Sequence, residues 1–209
     1  MKISWLGHAC FLIAGEKVCL VTDPFDEETG YKPLSVHADI VTVSHPHHDH
    51  NAVELVLGDP QVIRTPGIHH LDSIDIKGIE VYHDKQQGKS RGKNVAFVIN
   101  IDGLTVCHLG DLGHILDKEQ IAAIGPVNIL LVPVGGNYTI NATEAMETIK
   151  KINPQITIPM HYKTPDCNVA VAPVEDFIKN YDSVVKIPFL EVSSNTINNI
   201  EPIVLLDYQ

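Results

Sequence analysis

The chain has 209 residues, 44% of them hydrophobic, which supplies enough apolar material for one sizeable core and too little for two comfortable ones. Its 26 Asp and Glu outnumber 15 Lys and Arg, and the net charge of −11 opposes binding to nucleic-acid phosphates or to an anionic membrane surface. Twelve histidines nearly match the lysines and arginines in number, and imidazole is the commonest protein ligand of transition metals, so composition alone points to a metal.

Residues 2–13 and 17–22 are β-branched, aromatic or apolar, broken at Gly7 and at Gly15-Glu16, which is hairpin punctuation. The apolar run 38–44 predicts a strand buried on both faces, and 51–57, with Val53, Val56 and Leu57, predicts a short helix. Strands are predicted at 61–65 and 76–82, then a polar stretch from Asp84 to Asn94. Beyond it, 95–101 and 104–108 flank Asp102-Gly103, a strong hairpin signal. Residues 118–124 predict a helix closed by Gly125 and Pro126, and 127–134 a strand ending in Gly135-Gly136. Asn141 and Glu144 have the spacing of a capping box for a helix to about Ile152. A strand at 156–160, a short helix at 174–180 and strands near 184–187 and 203–206 complete the pattern. Hairpins opening each half, followed by strand-helix alternation, predict an α/β protein with sheets inside and helices outside. One domain over 1–209 is expected.

The four cysteines never fall at a C-x-x-C spacing, so neither a disulfide framework nor a thiolate zinc site is expected. Polar residues interrupt the N-terminus before any signal-length apolar stretch, and nowhere do eighteen apolar residues run together. A soluble, cytoplasmic protein without a membrane span is expected.

Directly after the strand at 38–44 comes His45-Pro46-His47-His48-Asp49-His50, with ligand-type residues at i, i+2, i+4 and i+5. A strand end opening into a tight turn can direct His45 and His47 to one ion while Asp49 and His50 turn to a second. Solvated histidine tracts lack both the preceding apolar strand and the embedded aspartate.

His-x-His-x-Asp-His after a strand resembles the signature of the metallo-β-lactamase superfamily. The resemblance implies a four-layer αββα sandwich. It also implies roles for matching residues: Asp23 as an aspartate supporting the ligands, Asp111 in His108-Leu109-Gly110-Asp111 as a carboxylate shared by two metals, and His161 as the last histidine ligand. For the remaining histidine ligand, His83 at a strand end is preferred over His108, which would point to the opposite side of its strand three residues before Asp111. Trp5-Leu6-Gly7-His8-Ala9, His83 with Arg91-Gly92 and Asn94, and Gly135-Gly136-x-Tyr138-Thr139 together resemble the branch holding ascorbate-6-phosphate lactonase and phospholipase D-type phosphodiesterases. The Gly-His-Thr/Ser segment of the lactamase and glyoxalase branches is absent.

The resemblance implies a metal set of His45, His47, Asp49, His50, His83, Asp111 and His161 holding two divalent cations. Such a pair lowers the pKa of a shared water from about 15.7 toward about 7 and polarises the attacked oxygen. Asp49 is the expected proton acceptor. Histidines and carboxylates without thiolate suit Zn²⁺ first, with Mn²⁺, Fe²⁺ or Ni²⁺ as alternatives. His8 either lies near the metals or is a core histidine held by backbone, and His108 has a supporting or rim role. His48 is expected to face away. His37, His69 and His70 are read as loop residues, and His114 as a residue that either lines the pocket or does not. Gly135-Gly136 either admits substrate close to the backbone or is a plain turn.

The segment from Lys85 to Lys93 carries Lys85, Lys89, Arg91 and Lys93 and no acid. It either draws an anionic substrate group toward the metals or is a solvated loop. The leading expectation is a dinuclear metal-dependent hydrolase acting on a small ester, lactone or phosphodiester, with no nucleic-acid partner. The alternatives are a non-catalytic metal- or ligand-binding protein of the same fold, a redox di-iron protein, and a nuclease.

Overall fold

Period-two alternation organises the first sheet. In the computed structural model, which describes residues 1–71 and 74–209, β1 (Lys2–Gly7), β2 (Cys10–Ala14), β3 (Cys19–Thr22), β4 (Ile40–Thr42) and β5 (Gln61–Ile63) lie side by side. They run antiparallel from β1 to β3 and parallel from β3 to β5. Successive side chains point to opposite faces. Ile3, Trp5, Phe11, Ile13, Leu20 and Ile40 therefore enter the main core, while Leu6, Cys10, Val21 and Val41 enter a smaller core on the outer face with Phe25 and Tyr31.

The second sheet contains β6 (Gly67–Leu71), β7 (Ile74–Tyr82), β8 (Lys93–Ile101), β9 (Leu104–His108), β10 (Ile129–Pro133) and β11 (Ile156–Met160). It is antiparallel from β6 to β9 and parallel from β9 to β11, the plan of the first sheet repeated. β10 is buried along its whole length and reads as a continuous apolar run, because α1 (Lys118–Ile124) and α2 (Ala142–Ile152) cover this sheet. Both helices start on complete capping boxes, Asp117 with Gln120 and Asn141 with Glu144. Asp102 and Gly103 turn β8 into β9 with φ of 51° and 75°, the positive pair that a tight hairpin turn requires. α3 (Glu175–Ile178) packs on α2, β12 (Val185–Ile187) pairs with β14 (Val204–Leu206), and β13 (Leu190–Glu191) extends the first sheet beside β1.

The result is the expected αββα sandwich, with the layer outside the first sheet reduced, among the described residues, to 3-10 turns and irregular chain. The helix predicted at 51–57 is one such turn, Val53–Leu55. Ala52 provides no side-chain cap, and the Leu57 amide is taken by the Val36 carbonyl at 2.8 Å, which draws the chain out of helical geometry. His69 and His70, read as loop residues, lie on β6, which among the described residues is an edge strand paired to β7. The helix predicted at 174–180 keeps one turn. No helix among the described residues is long and apolar enough to cross a membrane.

β1, β3 and β4 share one direction in the first sheet, as do β7, β9, β10 and β11 in the second. The residues that follow these strands meet at one end of the sandwich.

Candidate metal centre

His8 follows β1, Asp23 follows β3, Ser44 to His50 follow β4, His83 follows β7, Asp111 follows β9 and His161 follows β11. The close approach of these strand ends constrains their neighbours. Gly110 has φ 52°, and a Cβ there would lie 2.5 Å from that of Ser44. A Cβ on Gly135 would lie 2.2 Å from the His161 carbonyl oxygen. Gly135 thus serves packing against the His161 turn, and neither it nor Gly136 is among the cavity-lining residues, which fits the plain turn of the two alternatives.

Asp23 anchors the centre from below. Its Oδ1 accepts the Ser44 amide at 2.7 Å, and its Oδ2 accepts Ser44 Oγ–H at 2.6 Å and His50 Nδ1–H at 2.9 Å. With its proton committed to Asp23, Ser44 Oγ accepts Nδ1–H of His45 at 2.9 Å. One buried carboxylate therefore orients two histidines, holding the Nδ1 of each and turning the Nε2 of each inward. Ser44 was not singled out in the sequence, where a serine at a strand end carries no signal. Asn94 is the other such support: its Nδ2–H donates to the Leu109 carbonyl at 2.8 Å, and its Oδ1 accepts the Asp111 amide at 3.1 Å.

Two histidine triads face each other across this floor. The ring nitrogens of His45, His47 and His83 form one group, and those of His8, His50 and His161 the other, each with its ligand atoms within 4.8 Å of one another. Asp111 lies between them, its Oδ2 3.3 Å from Nε2 of both His83 and His161 and its Oδ1 3.3 Å from Nε2 of His50. Asp49 Oδ2 is 3.3 Å from His8 Nε2 and 3.8 Å from His50 Nε2. A third group, Asp23 with His45 and His50, is accounted for by the hydrogen bonds just described.

The electrostatics suit a cation. Burial holds His8 at about 4, aided by the nearby His161, and also lowers His45 and His83, so these imidazoles are neutral. Burial opposes the charge on Asp23, Asp49 and Asp111, yet the surrounding histidines outweigh it and keep all three carboxyls below the usual range. His50 is the exception: burial lowers it, but Asp111 and Asp23 overcome this and favour positive charge at that point. Nδ1 of His83, Nδ1 of His161 and Oδ1 of Asp111 are buried without a hydrogen-bonding partner among the described residues. Neutral imidazoles and ionised carboxylates, with unpartnered atoms among them, are the donor set a divalent metal takes.

His108 lies on the far side of its strand. Its Nε2–H donates to the Ala9 carbonyl at 2.8 Å while Nδ1 accepts the Gly110 amide at 3.3 Å, so it ties the two sheets together instead of joining the triads. His48 points outward to Asp26 at 3.0 Å. His114 is occupied by the Tyr82 amide and the Ile115 carbonyl and does not line the cavity.

A cavity of about 560 Å³ opens over the triads, walled by His47, Asp49, Arg91, Tyr138 and Asn168, a size that holds a small molecule. Asp84 builds the loop on one side: it accepts the amides of Gln86, Gly88, Ser90 and Arg91 at 2.7 to 3.0 Å. Burial would raise its carboxyl, and these four donors outweigh it, drawing it down to about 2. The basic segment is not uniformly aimed at the centre. Lys85 pairs with Glu144 and Lys93 with Glu80, whereas Arg91 stands 5.2 Å over the Tyr138 ring at the cavity wall.

A β-sandwich that gathers histidines and aspartates at the ends of strands from both sheets defines a metallo-β-lactamase fold. Residues 2–161 match the family described as the β-lactamase superfamily domain, and the chain belongs to the metallo-β-lactamase superfamily as a metal-dependent hydrolase. It is 33% identical over 192 residues to a UPF0173 metal-dependent hydrolase of Thermoplasma acidophilum, with 79% of this chain and 85% of that one covered. A UPF0173 metal-dependent hydrolase of Carboxydothermus hydrogenoformans is 31% identical over 193 residues, covering 78% and 85%. Among solved structures, a candidate Zn-dependent hydrolase of the metallo-β-lactamase superfamily from Thermotoga maritima is 42% identical, covers 98% of this chain and 97% of its own, and superposes with a TM-score of 0.82.

Proposed function

We propose that the chain is a dinuclear hydrolase, with Zn²⁺ as the first candidate metal, that cleaves a small ester, lactone or phosphodiester carrying an anionic group. His45, His47 and His83 hold one ion, Asp49, His50 and His161 the other, and Asp111 is shared. The observation that carries this reading is the position of Asp111 Oδ2, equidistant at 3.3 Å from histidines of opposite triads. The bound ions supply Lewis acidity, lowering the pKa of the attacking water and polarising the carbonyl or phosphoryl oxygen.

The chain's own residues do the rest. Asp49, ionised and partly exposed at the cavity, orients the attacking water through Oδ2 and takes its proton. Asp23, directly and through Ser44, keeps the Nε2 atoms of His50 and His45 inward. Arg91, braced on Tyr138, receives the anionic group away from the scissile bond.

Metal analysis of untagged protein, combined with turnover of bis-p-nitrophenyl phosphate, lactones and thioesters under Zn²⁺ and Mn²⁺, tests the reading. Two equivalents per chain and turnover on one substrate class are expected. Fewer than about 1.5 equivalents at saturation contradicts the dinuclear assignment, and two bound metals without turnover on any class contradicts the hydrolytic one.

A further inference from the structure

We propose that His8 is itself a metal ligand, making the second subsite a three-histidine set of His8, His50 and His161 that equals the first in nitrogen donors. This rests on the dinuclear reading above and extends its ligand set.

Three observations carry it. First, His8 Nε2 lies 3.1 Å from His50 Nε2. The two Nε2 atoms face one another, an approach that either an N–H···N hydrogen bond or a shared cation accommodates, and the ligand nitrogen of His161 lies within 4.8 Å of both. The His45 Nε2 and His47 Nδ1 pair of the first subsite stands at 3.0 Å in the same way. Second, the His8 ring is 1% exposed and its centroid is 4.1 Å from that of His161, so the imidazole is packed inside the triad and not at its rim.

Third, the backbone is strained to put it there. His8 has φ 53° in the left-handed region. Such a conformation is costly for a non-glycine residue. The residues sharing it fall into two groups: Gln87, Asp102, Asn137 and Asn153 outside the centre, and His8, Asp23 and His161 within it. Two hydrogen bonds to the His8 carbonyl, from Trp5 Nε1 and from the His161 amide, both 3.0 Å, hold the bend and fix His8 relative to His161. A glycine would satisfy that backbone without strain, so the imidazole is what the bend delivers.

The competing arrangement is His8 Nε2–H acting only as a hydrogen-bond donor, to Asp49 Oδ2 at 3.3 Å or to His50 Nε2 at 3.1 Å. His8→Gln separates the two, because the amide can still donate to Asp49 but supplies no imidazole nitrogen. Apo-protein is titrated with Zn²⁺ against a chromophoric chelator and with Co²⁺ by visible absorption, for wild type, His8→Ala and His8→Gln, with thermal melts confirming folding. If His8 is a ligand, both His8 variants keep one tight equivalent and weaken the second by more than about 100-fold, beyond the ~10–100-fold typical of an outer hydrogen-bonding partner. Their second-equivalent Co²⁺ band also shifts, and free imidazole restores it in His8→Ala. A His8→Gln protein with wild-type affinity and spectrum overturns the proposal. A wild type binding one equivalent overturns the dinuclear reading first, and this one with it.

Discussion

Asp23 and His45 never touch, yet Ser44 Oγ, 2.6 Å from one and 2.9 Å from the other, makes the orientation of His45 depend on Asp23. The same carboxylate holds His50 directly. Asp23→Asn preserves shape and tolerance of the left-handed bend but replaces an acceptor with a donor facing Ser44 or His50. Both equivalents of metal should weaken, by ~10–100-fold, with the circular dichroism of the fold intact. Loss confined to one equivalent would show that the Ser44 relay does not reach His45.

Acid should act on the metal-free protein through the buried histidines. His8, held at about 4 by burial and His161, and His45, lowered by burial and His50, both sit below the ordinary value of 6.5. Their stabilisation is complete above 6.5 and is lost as pH falls toward and below about 4. His50, raised by Asp111 and Asp23 against its burial, contributes in the opposite sense, and its share is lost only as pH rises through its elevated value. The thermal midpoint of chelator-treated protein should therefore fall between pH 6.5 and 4, and a flat profile would rule out neutral burial of His8 and His45.

Three of the four cations of the cavity loop, Lys85, Arg91 and Lys93, should not behave alike. Arg91→Ala is expected to raise KM for an anionic substrate at least about tenfold, the scale of a hydrogen bond to a charged group at ~1.5–3 kcal/mol. Lys85→Ala and Lys93→Ala remove exposed ion pairs with Glu144 and Glu80 and should leave KM within about twofold. Metal content should be unchanged in all three. Equal effects from Lys93 and Arg91 would favour a diffuse field over a specific contact.

Gly135→Ala tests the packing that fixes the last histidine. Its new Cβ meets the His161 carbonyl oxygen at 2.2 Å, so backbone must shift. A loss of ~1–3 kcal/mol in urea unfolding, accompanied by weaker binding of one metal equivalent, is expected. Destabilisation without any change in metal affinity would mean that the strain is relieved toward Val171 instead.

Elements with local signals were legible in the chain. α1 ends at Ile124 before the closing Gly125, α2 starts on the Asn141–Glu144 capping box and ends at Ile152, and the Asp102-Gly103 turn forms as its residue types require. β6 and β13 escaped notice because they are short edge strands defined by pairing with β7 and β1, distant or weakly patterned partners. In the centre, the run from His45 to His50 was conspicuous, while the supporting Ser44 and the inward place of His8 depend on left-handed bends and cross-sheet contacts that no local pattern encodes. The pairing of Lys85 and Lys93 with acids far along the chain was hidden for the same reason.

The hydrogen bond from the His161 amide to the His8 carbonyl also bears on how the protein is made. Synthesis proceeds at ~5–20 residues per second from the N-terminus, so the first hairpin can form early. The partner that closes its strained turn emerges only after both sheets are nearly translated. A nascent chain therefore lacks His161, and the bond that closes the His8 turn, until 161 of its 209 residues have been made.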